Sequence, residues 1–250
     1  MKAPMISYAV LGRTAPSMDR TYWKALRHDL FYRFLARRPG LKLEALGDVS
    51  RHFAWTVCPD NLHEKSAVIS AGVGQDVSFE LALIRRFGCR VILLDPSPTG
   101  LATMALPYNQ HPKLCFLPYA LVGCDRKIIL HPPENPEEGS FSSVVGTKIG
   151  PTVDGFSLGT VMKKHGIGHI DLLKIDIEGA EYEVMDSILR HKTRIPQICV
   201  EYHNKVLPGI RTSSTARSLL QFWAAGWRIL HKSGSNHTLW NDWLARKPGY

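Results

Sequence analysis

From Ser66 onward the sequence predicts an α/β protein built on a mostly parallel, seven-stranded sheet that closes with a C-terminal antiparallel hairpin. Three observations carry this reading. Short apolar runs alternate with stretches of helical period, the signature of strand–helix–strand units. Two of those runs end in glycine-bearing turns, Gly72-Val73-Gly74 and Asp176-Ile177-Glu178-Gly179. The last two runs are joined by a short Ser-Gly-Ser-Asn link, which suits antiparallel pairing.

The elements follow in order. Residues 1–64 are expected to be an N-terminal helical extension, and 65–250 the main domain. Within the extension, residues 19–38 place Tyr22, Leu26, Leu30, Phe31 and Phe34 at three- and four-residue spacing, with Arg and Lys between them. Pro39-Gly40 stops the helix. Its apolar stripe must dock on the main domain, on a second copy of the chain, or on a membrane surface as a peripheral anchor. Residues 41–64 show no clear period. Strands are expected at Ala67–Ala71, Arg90–Leu94, 114–117, Asp171–Ile175, Gln197–Glu201, 227–231 and 237–240. Helices are expected at Asp76–Phe87, 97–110, Leu158–Lys164, Ala180–Leu189 and 213–224. A further apolar run lies at 120–123, and Ile128–Leu130 pairs locally. The Pro-, Glu- and Ser-rich segment 131–143 is a loop and a candidate lid.

Composition sets the outer bounds. A chain of 250 residues, 44% apolar and 21% charged, buries a full core without disulfide or metal staples. No run of 18 apolar residues suggests a membrane span. The short apolar run Met5 to Leu11, broken by Ser7, is weak as a secretory leader, so a cytoplasmic location is expected. Five cysteines with no C-x-x-C pair read as buried thiols in a reducing compartment, with neither disulfides nor a zinc site. The net charge is +9, and eight basic against two acidic residues put +6 of it in residues 1–40. That excess fits nucleic acid, phosphates or an anionic membrane, and equally a solvated helix face on a basic protein.

The first chemical constellation is SAVISAGVGQDVSFELALIRRFGCRVILLDPSP. Gly72 and Gly74, at the strand-to-helix turn, let a ligand approach the backbone closely. Asp76 is expected to cap the following helix, with Phe79, Ala82, Leu83 and Phe87 on its buried face. The next strand ends at Asp95, 21 positions after Gly74, the usual distance for an acid that accepts ribose hydroxyls. Such a turn serves a nicotinamide dinucleotide or S-adenosylmethionine. Position 77 is Val where the dinucleotide fingerprint has its third glycine, and Asp76 at the helix mouth repels a pyrophosphate. Both observations favour S-adenosylmethionine.

The second constellation is Asp171-Leu-Leu-Lys174-Ile-Asp176-Ile-Glu178-Gly179-Ala180-Glu181. Lys174 in a strand covered on both faces is costly unless paired, and Asp176 on the same face is its nearest partner. The following strand ends Val200-Glu201-Tyr202-His203. If the two strands are neighbours, Asp176, Glu178, Glu201 and His203 converge at the carboxyl edge of the sheet, where open α/β folds bind ligands. His203 is the best-placed base, with Asp176 or Glu201 as alternatives. No resident metal is assigned, although two carboxylates and a histidine could hold Mg²⁺, Mn²⁺ or Ca²⁺ against a substrate diol. A salt-bridge cluster around Lys174 is the structural alternative.

A mostly parallel sheet closed by an antiparallel hairpin is the Rossmann-like layout of class I methyltransferases. Within it, LLKIDIEGAEYEVM, GVGQDVSFELALIRRFGCRVILLDPSP and CVEYHN resemble the FkbM-type S-adenosylmethionine-dependent methyltransferases across roughly residues 64–205. The resemblance implies that Gly72 and Gly74 line the cofactor and Asp95 holds its ribose. It places Ala120 and Leu121, after Tyr119, beside the adenine, and Asp176 and Glu178 beside the methionine and the substrate. Ser70-Ala71 stands where many methyltransferases carry an acid, so Asp176 substitutes as partner for the cofactor's ammonium group. The resemblance further implies O-methylation of the hydroxyl of a sugar or other small molecule, with no nucleic-acid partner. A nucleic-acid methyltransferase is favoured by charge alone, because no N-P-P-[FYW] motif follows a strand. A catalytically silent, membrane-associated binding module is the third reading.

Overall fold

The computed structural model describes residues 20–36, 40–135, 137, 139–144, 146, 148–204 and 211–246. The chain divides into two compact units, residues 1–34 and 35–250. The expected boundary at 64/65 therefore falls well inside the larger unit.

The smaller unit is described from Arg20, where α1 (Arg20–Leu35) begins. Asp29 and Arg33 face each other one turn apart at 2.8 Å, acid on the N-terminal side, the favourable order for a helical pair. Of the expected apolar stripe, Leu30 and Phe34 are more than half exposed in this chain. The side chains of Tyr22 and Leu26 lie outside the described residues. No described helix is long and apolar enough to cross a membrane.

The larger unit begins with a short ribbon, β1 (Glu44–Leu46) against β2 (Trp55–Val57). The main elements are then β3 (Ala67–Ala71), α2 (Ser78–Phe87), β4 (Arg90–Leu94), α3 (Pro98–Met104) and β5 (Leu114–Leu117). A second, smaller sheet is built from β6 (Ala120–Leu121), β7 (Arg126–Ile129) and β8 (Thr152–Phe156). After α4 (Leu158–Lys164) come β9 (Leu172–Ile175), α5 (Glu181–Arg190), β10 (Gln197–Glu201), α6 (Thr212–Ala224), β11 (Arg228–Ser233), β12 (Asn236–Trp240) and α7 (Asp242–Ala245). The main sheet has seven strands in the order β11-β12-β10-β9-β3-β4-β5. The four pairings from β10 to β5 are parallel, and β12 enters antiparallel to both β10 and β11. Strands β3, β9 and β10 are buried almost throughout, as a sheet covered on both faces requires. The expected class I methyltransferase layout is the one observed.

Two features were not foreseen. The ribbon comes from the stretch without a period, because two three-residue strands are too short to show one. Leu46, Trp55 and Val57 nevertheless join the core with Val68, Phe79, Leu83, Leu172 and Cys199. The backbone that follows is tied down by Gln197, whose amide is fully buried. Gln197 Oε1 accepts from Cys58 N at 2.6 Å, and Nε2 donates to Cys58 O at 3.1 Å and to Asn61 Oδ1 at 3.0 Å. One side chain thus replaces the ladder bonds that an irregular buried segment lacks. The second feature is the small sheet, in which β8 runs parallel to β6 and antiparallel to β7. Gly155 interrupts the pattern of β8 and hides the strand, and a Cβ there would press on Arg126 O at 3.0 Å.

Smaller differences have local causes. The helix expected over 97–110 ends at Met104, and Pro107–Asn109 continues as a single 3₁₀ turn. Helix α2 starts at Ser78, and Asp76 serves it from outside by accepting the Ser78 N–H at 2.7 Å. Among the cysteines, Cys58, Cys89 and Cys199 are buried as expected, whereas Cys124 is exposed.

The Gln197 tether yields a direct test. Replacing it with Leu removes the bonds that Cys58 N, Cys58 O and Asn61 Oδ1 make to its amide. The loss in unfolding free energy should be about 2–4 kcal/mol, read from the urea midpoint at unchanged slope.

Candidate functional site

The glycine turn is shaped by what lies beneath it. Gly72 has φ +92°, and a Cβ there would sit 1.8 Å from Asp176 O, so the end of β9 excludes every other residue. Gly74 has φ +55°, and a Cβ there would meet nothing within 4 Å: the backbone borders open space. Asp95, at the end of β4, holds this turn in place. Its Oδ2 accepts from Val73 N at 2.8 Å and Gly74 N at 3.1 Å, and its Oδ1 from Ser97 N at 2.7 Å. Gly100 makes room for that carboxylate, since a Cβ there would lie 2.4 Å from Asp95 Cγ. A carboxylate offers about four acceptor positions, so three bonds leave one toward a ligand.

Lys174 lies under the same turn. Its Nζ donates to Gly72 O at 2.6 Å, approaches Asp176 Oδ2 at 3.3 Å, and stands over the Trp55 ring at 5.4 Å. Burial works against its charge, yet the carboxylates of Asp176 and Glu80 outweigh burial and raise its pKa. The expected Lys174–Asp176 pair is therefore present. Glu80, from α2, is buried, accepts from Ser70 Oγ at 2.6 Å, and is pushed upward in pKa by desolvation. In sequence, Glu80 stands in the first turn of α2, where an acid suits the helix dipole without facing inward. Its inward role rests on Ser70, the residue that stands where an acid was expected.

The Glu178-Gly179 corner carries strain. Glu178 has φ +51°, an uncommon state for a residue with a side chain, and Gly179 follows at φ +108°. The corner is held by Ser142 Oγ, which donates to Glu178 O at 2.7 Å, and by Glu181 at the start of α5. Glu181 has no exposure at all. Its carboxylate accepts from Ile177 N, from Gly179 N at 2.9 Å, and from His203 Nδ1 at 2.8 Å. His203 Nε2 consequently points at Glu178 Oε2, 3.4 Å away, and Asp176 Oδ1, 3.8 Å away. Burial alone would lower the pKa of His203. The Glu181 hydrogen bond and the charges of Glu181, Glu178 and Asp176 reverse this and raise it to about 10. His203 therefore holds its proton at neutral pH, and the expected role of base does not suit it in this state. Burial, reinforced by Asp176, moves Glu201 in the opposite functional direction, up to about 7. Among the described residues, Glu201 has neither a hydrogen bond nor an ion pair through its side chain. The clamp by Glu181 was missed: its signal was an acid two residues after the glycine of the turn, which reads equally well as an ordinary first-turn acid.

All eight residues singled out as site residues, Gly72, Gly74, Asp95, Ala120, Leu121, Asp176, Glu178 and His203, line one cavity of about 310 Å³. Glu80, Lys174 and Glu201 line it as well, with Phe53 and Trp55 from the unassigned segment. The candidate lid also reaches it, through Gly139, Ser140, Phe141 and Ser143. That loop is pinned by paired backbone bonds between His131 and Ser142 and by Gln75 Nε2 donating to Glu137 O at 2.8 Å. The cavity thus has a glycine turn with its acid and, beside it, a cluster of carboxylates around an imidazole. An open space at a positive-φ glycine, an acceptor position left on Asp95 and small apolar side chains at Ala120 and Leu121 fit an adenosyl ligand with a cationic tail.

A family model described as the methyltransferase FkbM domain matches residues 56–222. The probable methyltransferase-like protein 24 of Homo sapiens is 26% identical over 221 residues, covering 84% of this chain and 54% of that protein. The chain thus spans about half the length of that relative. Among solved structures, a chain of a fibrillarin/Nop5p complex aligns with a TM-score of 0.42 at 9% identity, over 71% of this chain and 72% of that one. The TrmK protein of M. capricolum, in complex with S-adenosyl-homocysteine, aligns with a TM-score of 0.36 at 9% identity, over 72% and 62%.

The two glycines should respond differently to the same change. Gly72→Ala forces a methyl into the Asp176 carbonyl and should cost more than about 3 kcal/mol in chemical unfolding. Gly74→Ala has room and should cost about 1–2 kcal/mol, the strain of a left-handed alanine.

Proposed function

The chain belongs to the methyltransferase FkbM family, whose cofactor is S-adenosylmethionine, and we propose that it methylates a hydroxyl oxygen of a small molecule such as a sugar. The observation that carries this reading is the set of carboxylates gathered at one end of the cavity, next to the glycine turn. A hydroxyl nucleophile must lose a proton as it attacks, and acids held in a polar pocket within an apolar sheet edge serve that need. Bound S-adenosylmethionine supplies a methyl group activated by its sulfonium.

The chain's own residues do the rest. Gly72 and Gly74 let the backbone approach the cofactor, and Asp95 offers its remaining acceptor position to a ribose hydroxyl. Ala120 and Leu121 give the adenine an apolar wall. Asp176, one oxygen turned to Lys174, supports the cationic amino acid end. Asp76 at the mouth of α2 disfavours a pyrophosphate, which weighs against a nicotinamide dinucleotide. Glu178 positions the substrate hydroxyl. Glu201, the acid without a pairing partner among the described residues, takes its proton. His203 serves as a fixed centre between Asp176, Glu178 and Glu181 rather than as the base.

Calorimetric titration with S-adenosylhomocysteine is the direct test. The chain should bind it in a one-to-one complex and show no binding of NAD. Asp95→Asn keeps the shape of the side chain but weakens it as an acceptor. Affinity for S-adenosylhomocysteine should fall by about 1–3 kcal/mol. Tight NAD binding, or no binding of S-adenosylhomocysteine, overturns the reading.

A further inference from the structure

We infer that Asp176, Glu178 and His203 form a binding site for one divalent cation of the Mn²⁺ type, which would hold two neighbouring oxygens of the substrate. One ligand atom from each residue lies within 4.8 Å of the others. Nε2 of His203 is 3.4 Å from Glu178 Oε2 and 3.8 Å from Asp176 Oδ1. Adjacent ligands of a six-coordinate ion with bonds of about 2.1 Å stand about 3.0 Å apart. Nε2 needs to close on each of these two oxygens by less than about 1 Å to share an ion with it.

Each donor is also held from behind. Glu181, fully buried, takes the Nδ1 side of His203 at 2.8 Å and leaves Nε2 as the outward nitrogen. A carboxylate behind a ligand imidazole is the usual outer support of a metal-bound histidine. Lys174 occupies Asp176 Oδ2, leaving Oδ1 toward His203. Ser142 fixes the Glu178 backbone.

A second observation points to an occupant. The His203 side chain is nine-tenths buried, yet Nε2 makes no hydrogen bond among the described residues and is aimed between two carboxylate oxygens. Among the described residues, Lys174 and His203 are the cations set against Asp176, Glu178, Glu181 and Glu201 in this cluster, so a dication improves the balance of charge. Without a cation, a proton on Nε2 takes that place, and the two compete for the nitrogen.

The donor set selects the ion. Two carboxylate oxygens and one imidazole suit Mn²⁺ better than Mg²⁺ or Ca²⁺, which take oxygen ligands, or structural Zn²⁺, which takes thiolates. Three protein donors leave about three of six positions, and all three residues line the cavity. A vicinal diol fills two of them. The use of the ion rests on the methyltransferase reading, whereas the site itself rests on the residues alone. A hydroxyl held on the cation loses its proton to Glu201 more readily. Its oxygen then bonds to the methyl carbon as the carbon–sulfur bond breaks, and that electron pair returns to sulfur.

The experiment is a Mn²⁺ titration of the full, tag-free chain at about pH 8, following the paramagnetic resonance of free Mn²⁺, with S-adenosylhomocysteine calorimetry on the same preparation. One saturable Mn²⁺ per chain is expected, weakened at least tenfold by Glu178→Gln and by His203→Gln. Glu181→Gln should weaken it by about 10- to 100-fold, whereas Glu44→Gln, which alters a surface pair with Arg86, should leave it unchanged. Thermal melts establish which variants fold, and Glu178→Gln decides the matter if His203→Gln does not. No saturable binding up to millimolar Mn²⁺, or binding that Glu178→Gln leaves unchanged, overturns the site. S-adenosylhomocysteine binding without Mn²⁺ binding overturns the cation site alone. Mn²⁺ binding without S-adenosylhomocysteine binding supports the site and overturns the methyltransferase reading.

Discussion

The carboxyl edge of the sheet depends on the neutralisation of one buried ammonium. Lys174 comes from the middle of a strand buried throughout, where an unpaired charge is expensive. Its Nζ joins three things: the carbonyl of Gly72, the carboxylate of Asp176 and the face of Trp55. These come from the ends of β3 and β9 and from the ribbon before them. The lysine thereby sets the height of the glycine turn against the acid of the next strand. Gly72 in turn admits the Asp176 carbonyl to a distance that no side chain tolerates. Packing, charge and backbone conformation all meet at this point, and the cavity opens directly beside it.

Charge in this molecule is distributed against its average. The chain is strongly basic, yet Glu80, Asp176, Glu178, Glu181 and Glu201 gather where the sheet ends, with Lys174 and His203 among them. Net charge therefore describes the exterior, and the site has the opposite sign. An acidic recess accepts a sulfonium and an ammonium readily and a phosphate poorly. The basic excess, by contrast, is concentrated in the leading segment, away in sequence from the chemistry.

Much of this was legible in the sequence, for physical reasons. Buried parallel strands are continuous apolar runs, so β3, β4, β9 and β10 stood out, and their ends located Gly72, Asp95, Asp176 and His203. Elements stabilised by distant partners were not legible. The ribbon β1–β2 is too short for a period and is held by Gln197, more than a hundred residues away. Strand β8 carries a glycine that its neighbours demand. The protonation of His203 was not legible because it depends on what surrounds the ring, and Glu181 reaches that ring from another element. Spacing identified the residues that meet, whereas the state of each proton follows from the meeting itself.

The tether between the start and end of the larger unit bears on how the chain folds. Thr238 donates to the carbonyl of Thr56 across 182 positions, and Gln197 reaches Cys58 across 139. Contacts this distant form late, because a long loop must close before they are made. During synthesis, the ribbon waits, its tryptophan without a complete wall, until β12 has left the ribosome. Strand β12 is inserted between β10 and β11, so it completes the sheet and the N-terminal ribbon in one step. The larger unit thus has little opportunity to mature segment by segment. Its core is assembled by a closing event, and an interruption of translation before residue 238 leaves an open sheet edge of the kind that chaperones recognise.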